Sequence, residues 1–222
     1  MQRLYYDPMA TTCRPIVLFA AETGLDLEYS RIDLFSGEHR APPFIHVNPN
    51  AAVPVLEDGD FILTESSAIL KYLAEVSGSS AYPRSPKARA RVNEMMDWFN
   101  TGFMRAFCYG LCYPEVLPEY RLPEPGYSQL RAQNLADAQR KLAVLDGMID
   151  GKPFLCGETI TIADYFGAGL LSLGELVDFD LSRWPNVARW FANIKARPHW
   201  FEANAGFYGW KSAIDAQAKL SA

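Results

Sequence analysis

A run of turn-forming residues at positions 77–86, SGSSAYPRSP, separates two parts of the chain whose hydrophobic patterns differ. Before it, short apolar runs of strand length alternate with helical patterns, while after it the periodic segments have the spacing of helices. Clusters of serine, glycine and proline are typical of linkers. The sequence therefore predicts an α/β domain over residues 1–78 and an all-α domain over residues 87–222.

The first part is predicted to have the element order βαβ, loop, ββα. A helix ended by Gly24 crosses over between two parallel strands in the usual right-handed sense, and a hairpin turns at Asp58-Gly59. The stretch between these two halves is rich in proline, glycine and asparagine and is predicted to be irregular. The predicted bounds are strands 2–6 and 27–34, helix 14–22, the irregular stretch 35–52 and a last helix that ends near residue 75.

The second part contains segments with helical periodicity and a proline-rich stretch, residues 113–127, that is predicted to be a loop. Thr161 and Asp164 in the run TIAD form a capping signal, in which each side chain accepts a hydrogen bond from the other residue's backbone N–H. We therefore interpret Asp164 as a structural residue. The predicted helices are residues 87–111, 129–149, 162–176, 185–196 and 199–205.

Composition limits the class of protein. The 222 residues carry a formal net charge of −5, which argues against a nucleic-acid partner. No uninterrupted apolar run approaches the roughly 18 residues of a membrane span, and the first residues do not have the charged and apolar regions of a signal peptide. The four cysteines do not have metal-binding spacing. The sequence thus predicts a cytoplasmic protein with reduced thiols, no metal site and no membrane partner.

The junction between the second hairpin strand and the next helix carries a carboxylate and hydroxyl groups, in the run Thr64-Glu65-Ser66-Ser67. Serine or threonine at this position can cap the helix. The same groups can bind a ligand that has both an amine and a carboxylate, because free N–H groups and the helix dipole favour an anion. Both interpretations are open at this point.

Five short motifs follow one another along the chain. They are Val53-Pro54, Asp58-Gly59-Asp60-Phe61, Thr64-Glu65-Ser66, Ala88-Arg89-Ala90-Arg91-Val92 and Thr161-Ile162-Ala163-Asp164. In this order they resemble the cytosolic glutathione transferases over essentially the whole chain, and their details most resemble theta-class and bacterial theta-like enzymes. The resemblance implies a thioredoxin-like first domain, glutathione as cosubstrate and a cis peptide bond before Pro54.

The resemblance also implies which residues hold glutathione. A cis proline turns the chain sharply, so that the backbone N–H and C=O of Val53 can pair with the cysteinyl unit like an added strand. Ser66 is implied to bind the γ-glutamyl carboxylate, and Glu65 its ammonium group. The donors implied for the glycine carboxylate are His39, Arg40 and Asn50.

Conjugation requires a thiolate, and the donor expected to stabilise it is missing. A free thiol has a pKa of about 8.5 and is only a few per cent ionised at neutral pH. Theta-like relatives have a serine where this chain has Ala10. The alternatives are Thr11, which we favour, then Tyr6, then Thr12 or the N–H groups at the start of the first helix. Both threonines could instead cap that helix, and Cys13 is interpreted as a buried structural residue.

An apolar, aromatic pocket for the electrophile is expected between the two domains. Its candidates are Phe103, Phe107, Tyr113, Phe207, Tyr208 and Trp210. The resemblance implies a glutathione S-transferase of detoxification that attacks a hydrophobic electrophile with the glutathione thiolate. The alternatives are a glutathione-dependent disulfide or peroxide reductase and a non-catalytic protein that binds glutathione or another ligand.

The resemblance further implies a homodimer, in which the first domain of one chain meets the second domain of the other. Charged residues on the two helices next to the linker suit a polar two-fold contact: Lys71, Glu75, Arg89 and Arg91. The expected partners are therefore glutathione, a small hydrophobic electrophile and a second copy of the chain.

Overall fold

The N-terminal domain is built on a four-stranded mixed sheet. Its strands are β1 Gln2–Tyr6, β2 Leu27–Arg31, β3 Val55–Asp58 and β4 Phe61–Thr64. In the computed structural model, which describes residues 1–221, the strand order is β2-β1-β3-β4, with β1 and β2 parallel and the other pairs antiparallel. Leu4 on β1 lies opposite Leu56 on β3, and both are fully buried. The predicted βαβ-ββα order and the thioredoxin-like fold class are confirmed.

Helices cover both faces of this sheet. They are α1 Arg14–Thr23, α2 Pro42–Val47 and α3 Ser66–Val76. The first and third pack in the same core as Leu4, while Phe44 of α2 packs on the opposite face against Ile32 and Val55. Gly24 ends α1 in a left-handed conformation with φ 68°, as the sequence predicts.

The stretch predicted to be irregular, residues 35–52, contains α2 and a 3₁₀ turn at Glu38–Arg40, so this prediction is wrong in part. The physical reason is the shortness of α2. It has six residues, begins with two prolines that fit a first helical turn, and buries only Phe44. One buried position cannot produce a helical period in the sequence.

The rest of the chain forms the predicted all-α domain. Its α-helices are α4 Pro86–Trp98, α5 Tyr113–Val116, α6 Gly126–Met148, α7 Ile162–Leu171, α8 Pro185–Lys195, α9 Trp200–Ala203 and α10 Ala205–Ser221. Residues Phe99–Cys112 continue α4 into α5 with π-helical hydrogen bonding, and 3₁₀ turns lie at Pro118–Tyr120 and Ser172–Val177. Within residues 1–221, no helix is both long and apolar enough to span a membrane.

Two segments of this domain differ from the prediction. The loop predicted at residues 113–127 is partly helical, because Pro114 lies in the first turn of α5, where the absent N–H group costs no hydrogen bond. The helix predicted at residues 199–205 is in fact α9 followed by α10. Gly206 lowers the helical propensity at the start of α10, which hides this helix in the sequence.

The start of α7 is buried in the core of the helical domain. Asp164 is fully buried and accepts hydrogen bonds of 2.8 to 3.0 Å from the N–H groups of Leu155 and Thr161, the Thr161 hydroxyl and the indole N–H of Trp190. Burial raises the pKa of this carboxyl group, and the four hydrogen bonds oppose that change. The capping box and the structural interpretation of Asp164 are confirmed.

A close approach between α1 and α7 fixes the two domains against each other. Gly169 on α7 lies against Pro15, and a Cβ atom there would collide with the proline ring and crowd the backbone carbonyl of Thr11. Only a residue without a side chain fits this contact. The start of α1 is therefore held at the boundary between the domains, where the candidate site lies.

Candidate functional site

A cavity of about 660 Å³ lies between the start of α1 and the helical domain. Among the residues predicted from the sequence, the ones that line it are Thr11, Thr12, His39, Arg40, Val53, Tyr113 and Trp210. The predicted residues outside its lining are Tyr6, Asn50, Pro54, Glu65, Ser66, Phe103 and Phe107. The cavity thus brings together members of four predicted groups: thiolate donor, glycine-carboxylate donors, cysteinyl contact and electrophile pocket. The two residues predicted for the γ-glutamyl end, Glu65 and Ser66, lie outside its lining.

A tight turn between β1 and α1 forms one wall of the cavity. Its anchor is Asp7, which is fully buried and was not predicted as a site residue. The Asp7 carboxylate accepts hydrogen bonds from the N–H groups of Met9, at 2.7 Å, and Leu34, at 3.1 Å. The first bond is the Asx turn that an aspartate at this place in a sequence can indicate. It holds Ala10 and the two threonines that follow against the cavity.

Thr11 has the most distinctive contact of this wall. It is 3% exposed, and its Oγ1 accepts a hydrogen bond of 3.0 Å from the hydroxyl of Tyr113. Among the described residues, none accepts a hydrogen bond from the Thr11 hydroxyl in return. Thr11 therefore lines the cavity with a proton that it can still donate.

Thr12 and Tyr6 are engaged elsewhere. The Thr12 hydroxyl donates to the carbonyl oxygen of Val53 at 3.3 Å, so its proton is already used. Tyr6 lies on the core and packs edge-on against Tyr29, with ring centroids 5.2 Å apart. Of the three predicted side-chain donors, Thr11 is thus the one that both lines the cavity and keeps its proton.

The alternative that these threonines cap α1 is wrong. The residue at the N-cap position is Cys13, and no side chain makes a capping hydrogen bond there. Cys13 itself is fully buried, and burial raises the pKa of its thiol to about 12. The structural interpretation of Cys13 agrees with this burial.

Arg14 brings a buried positive charge next to the same turn. It is 1% exposed, and its Nη1 donates to Ser172 Oγ at 3.0 Å and to Asn204 Oδ1, while the guanidinium lies 4.0 Å above the centroid of the Phe207 ring. Its Nε and Nη2 have no partner among the described residues, and no carboxylate pairs with it there. Burial lowers the pKa of Arg14 to about 10. The group remains a cation at neutral pH, and the charge of Glu175, which forms no direct ion pair with it, partly offsets the effect of burial.

The peptide bond between Val53 and Pro54 is cis, as expected, and Val53 lines the cavity. Near it, α3 begins without a side-chain cap: Glu65 occupies the N-cap position with a positive φ of 69°, and the buried Ser66 follows. A positive φ is costly for glutamate and often marks a functional site. Burial raises the pKa of Tyr109 on the cavity wall, and the Glu65 charge adds to this shift, so Glu65 lies within electrostatic range of the cavity.

Two of the three predicted glycine-carboxylate donors line the cavity, and the third does not. His39 and Arg40 lie in the 3₁₀ turn that lines the cavity, and the Nδ1 atom of His39 is buried without a hydrogen-bond partner among the described residues. Burial, with the nearby Arg40 charge, lowers the pKa of His39. Asn50 is turned away instead, because both its backbone N–H and its side-chain amide donate to Asn48 Oδ1.

The helical domain contributes a cluster of tyrosines to the opposite wall. The rings of Tyr109, Tyr113 and Tyr120 are mutually in contact, with centroid distances of 5.2, 5.3 and 5.7 Å. Phe35 and Trp210 meet edge-on at 5.6 Å, so the loop after β2 touches α10 at the cavity. This wall is aromatic and also carries hydroxyl groups.

The other predicted members of the electrophile pocket belong to the core. Phe103 and Phe107 are fully buried and stack with centroids 4.9 Å apart, which corrects their assignment. Phe207 lies beneath Arg14, and Tyr208 accepts a hydrogen bond from Trp200. None of these residues lines the cavity.

The π-helical segment explains why an ordinary four-residue spacing predicts the wrong face of this helix. Phe103 and Phe107 have the four-residue spacing of an ordinary helix, whereas the cavity is lined by Met104 and Tyr109, five residues apart. Hydrogen bonding from residue i to i+5 makes each turn wider and brings residues at this longer spacing onto one face. Looking for a five-residue spacing would have identified Met104 and Tyr109.

The family of the chain follows from comparison with known proteins. A model of the glutathione S-transferase N-terminal domain matches residues 2–75, and a model of the C-terminal domain of the same family matches residues 107–198. The chain therefore belongs to the glutathione S-transferase family, whose enzymes use glutathione as cosubstrate.

Solved structures agree with this assignment over nearly the full length. A delta-class glutathione transferase of Nilaparvata lugens is 34% identical with a TM-score of 0.84, and the match covers 97% of this chain and 99% of that one. Human glutathione S-transferase T1-1 is 32% identical with a TM-score of 0.86, covering 96% and 91%. A glutathione S-transferase of Pseudomonas fluorescens is 26% identical with a TM-score of 0.79, covering 89% and 96%. The relatives span several classes, so the family is shown and the class is not distinguished.

Proposed function

We propose that this transferase binds glutathione along the N-terminal wall of the cavity, ionises its thiol with the help of Thr11, and conjugates the thiolate to a hydrophobic electrophile that contacts the tyrosine cluster. The observation that carries this proposal is the Thr11 hydroxyl. It lies at the cavity, accepts a hydrogen bond from Tyr113 and keeps its own proton. Ala10, in the place of the serine of theta-like relatives, has no side-chain donor.

Glutathione would lie across three groups of residues. The backbone of Val53 before the cis proline would pair with the cysteinyl unit. Ser66 and the free N–H groups of α3 would bind the γ-glutamyl carboxylate, with Glu65 near its ammonium group. His39 and Arg40 would bind the glycine carboxylate.

A donor at Thr11 is strong enough to ionise the thiol. A hydrogen bond to a charged group contributes about 1.5–3 kcal/mol, which corresponds to a pKa decrease of roughly one to two units. The start of α1 adds about 0.3–1 kcal/mol through its dipole. The buried cation of Arg14 acts in the same direction, because no carboxylate among the described residues forms an ion pair with it and a cation favours an anion nearby. Together these groups can keep bound glutathione largely as thiolate at neutral pH.

The reductase alternative receives less support. Its chemistry on this scaffold would gain from a reactive cysteine in the turn before α1, but Cys13 does not line the cavity and its thiol is held protonated by burial. A reductase that relies on glutathione alone remains the second candidate function.

The finer assignments are proposals as well. The motif details favour a theta-like enzyme, the break at residues 77–86 favours domains over residues 1–78 and 87–222, and the four free cysteines favour a cytoplasmic location.

A homodimer agrees with what is typical of the family. Within one chain, Arg89 pairs with Glu75 at 2.8 Å and Arg91 pairs with Glu94, so a two-fold contact there would have to include these ion pairs.

The test is a direct comparison of reactions. Purified protein should retain glutathione and conjugate it to a chloronitroarene, with a thiol pKa in the complex about one to two units below that of free glutathione. Turnover of a small disulfide without conjugation would favour the reductase, and tight binding without either reaction would favour a non-catalytic binding protein.

A further inference from the structure

We propose that Tyr113 is a positioning residue that prepares the Thr11 hydroxyl to donate to the glutathione thiolate. In this relay the Tyr113 hydroxyl donates to Thr11 Oγ1, and the Thr11 hydroxyl donates to the sulfur. The inference rests on the proposed function, because it presupposes Thr11 as the thiolate donor. It changes the role of Tyr113, which the sequence placed in the electrophile pocket.

The direction of the Tyr113–Thr11 bond follows from the acidity of the two groups. A phenol has a pKa of about 10, which makes it a much stronger acid and donor than an aliphatic alcohol. With an oxygen–oxygen distance of 3.0 Å, Tyr113 is the donor and Thr11 the acceptor. Each hydroxyl has a single proton, so the Thr11 proton must point away from Tyr113. Within the described part of the chain no acceptor takes it, and Thr11 lines the cavity.

The hydrogen bond from Tyr113 makes the Thr11 hydroxyl a better hydrogen-bond donor in two ways. Accepting a hydrogen bond polarises the Thr11 O–H group, and such cooperativity strengthens a bond by about 10–30%. Tyr113 also restricts the rotation of the hydroxyl, so that less order is lost when the thiolate binds. Thr11 is almost completely buried, which limits the access of water that could take the place of the phenol.

The surroundings of Tyr113 keep its hydroxyl in place and protonated. Its ring stacks on Tyr120 at 5.3 Å and meets Tyr109 edge-on at 5.2 Å. Burial raises the pKa of Tyr113. A neutral phenol, unlike a phenolate, has a proton to donate, so the relay stays intact throughout the pH range in which the thiol titrates.

Measuring the pKa of the thiol in the enzyme–glutathione complex, without electrophile, separates this role from one in electrophile binding. The ultraviolet absorbance of the thiolate is followed against pH for wild type, Thr11→Val, Tyr113→Phe and the double variant. We expect Tyr113→Phe to raise the thiol pKa by about half a unit, less than Thr11→Val. In the Thr11→Val background Tyr113→Phe should add nothing, because its effect passes through the threonine hydroxyl.

Three further variants serve as controls. Tyr109→Phe removes a hydroxyl from the same ring cluster but makes no hydrogen bond to Thr11, so the thiol pKa should stay as in wild type. Thr11→Ser keeps the hydroxyl and should preserve the effect of Tyr113→Phe. Replacing Tyr113 with 3-fluorotyrosine, a more acidic phenol of nearly the same shape, should lower the thiol pKa, and this variant tests the relay even if Tyr113→Phe does not fold.

The outcomes of these measurements test the positioning role of Tyr113 separately from the donor role of Thr11. If Thr11→Val raises the thiol pKa while Tyr113→Phe and the fluorinated phenol do not move it, the relay is wrong and the donor assignment stands. If none of them moves it, Thr11 is not the donor and the proposed function loses its main support. If Tyr109→Phe shifts the pKa as much as Tyr113→Phe, packing of the tyrosine cluster is responsible and the relay is overturned.

Discussion

The starts of helices α7 and α3 contain similar residue types but differ in capping. Side chains cap the start of α7, whereas no side chain caps the start of α3. At α7, the capping box of Thr161 and Asp164 is complete, and Asp164 is fully buried with four donors around it. At α3, Glu65 occupies the cap position with a positive φ, and no side chain caps the helix, although Ser66 is next to it. One helix start is closed by its own residues, while the other leaves its N–H groups available.

We interpret this difference as that between a structural site at α7 and the proposed glutathione-binding site at α3. A closed helix start has no group left for a ligand, so removing one of its residues should affect the free energy of unfolding. An open start next to a cavity keeps its donors for an anion. The start of α1 also has no side-chain cap, a feature it shares with α2, α4, α5, α6, α8 and α9. We group it with α3 because Thr11 lines the cavity and the buried Arg14 follows it.

The largest effect is expected at the closed site. Asp164→Ala should lower the free energy of unfolding by about 3–5 kcal/mol, because it leaves buried donors of Leu155, Thr161 and Trp190 unsatisfied. Denaturant titration measures this loss. Asp137→Ala is the matched control, since this aspartate is half-exposed and forms a surface ion pair with Arg140, and it should hardly change stability. A weak effect at Asp164 would remove the basis of the comparison.

At the open site the effect should appear in binding. Ser66→Ala and Glu65→Gln each remove an interaction with a charged group of glutathione and should weaken binding about tenfold to a hundredfold. Stability should fall by no more than about 1 kcal/mol, because no cap is lost. Isothermal calorimetry and thermal unfolding measure the two quantities.

Ser67→Ala is the neighbouring control for this prediction and should leave the affinity for glutathione within about twofold. Unchanged affinity in Ser66→Ala together with a clearly lower melting temperature would mean that α3 is closed by Ser66 in solution. The two helix starts would then be alike.

The sequence predicted what short-range patterns determine. Gly24 at the end of α1, the hairpin at Asp58-Gly59 and the Thr161–Asp164 box are all local signals, and each was found where it was expected. The contact between Thr11 and Tyr113 joins residues 102 positions apart, and no local pattern reveals it. Other misses have equally physical causes: the short α2 has no period, and the π-helical turns bring a different face of the helix to the cavity.

Removing the proposed donor at the start of α1 should change the pH dependence of conjugation. Thr11→Val keeps the shape, removes the hydroxyl and should raise the pKa of bound glutathione by about one to two units. Conjugation at about pH 6.5 should then fall roughly tenfold or more, with a smaller loss near pH 9, where the thiol ionises unaided. The pH–rate profile of conjugation shows this shift.

Two further variants distinguish Thr11 from the other candidate donors. Ala10→Ser in the Thr11→Val background should restore activity at the lower pH, because it returns a hydroxyl to the place where theta-like relatives have one. Tyr6→Phe should matter little, since Tyr6 packs against Tyr29 outside the cavity lining. A profile that moves with Tyr6→Phe and not with Thr11→Val would assign the donor to the tyrosine.

The smallest effect is expected for Arg14→Met, which keeps the length of the side chain and removes its charge. The bound thiol should lose one favourable charge interaction, and its pKa should rise by about half a unit to one unit. Ser172→Ala is the control, because it takes an acceptor from Arg14 and leaves the charge in place, so the thiol pKa should not move.

The comparison predicts that Asp164→Ala costs more stability than Arg14→Met, since Asp164 is fully satisfied and Arg14 keeps two nitrogens without partners among the described residues. If Arg14→Met instead unfolds the protein as readily as Asp164→Ala and leaves the thiol pKa unmoved, then the buried arginine is a second structural charge, and an unsatisfied group beside a cavity does not by itself mark a binding site in this fold.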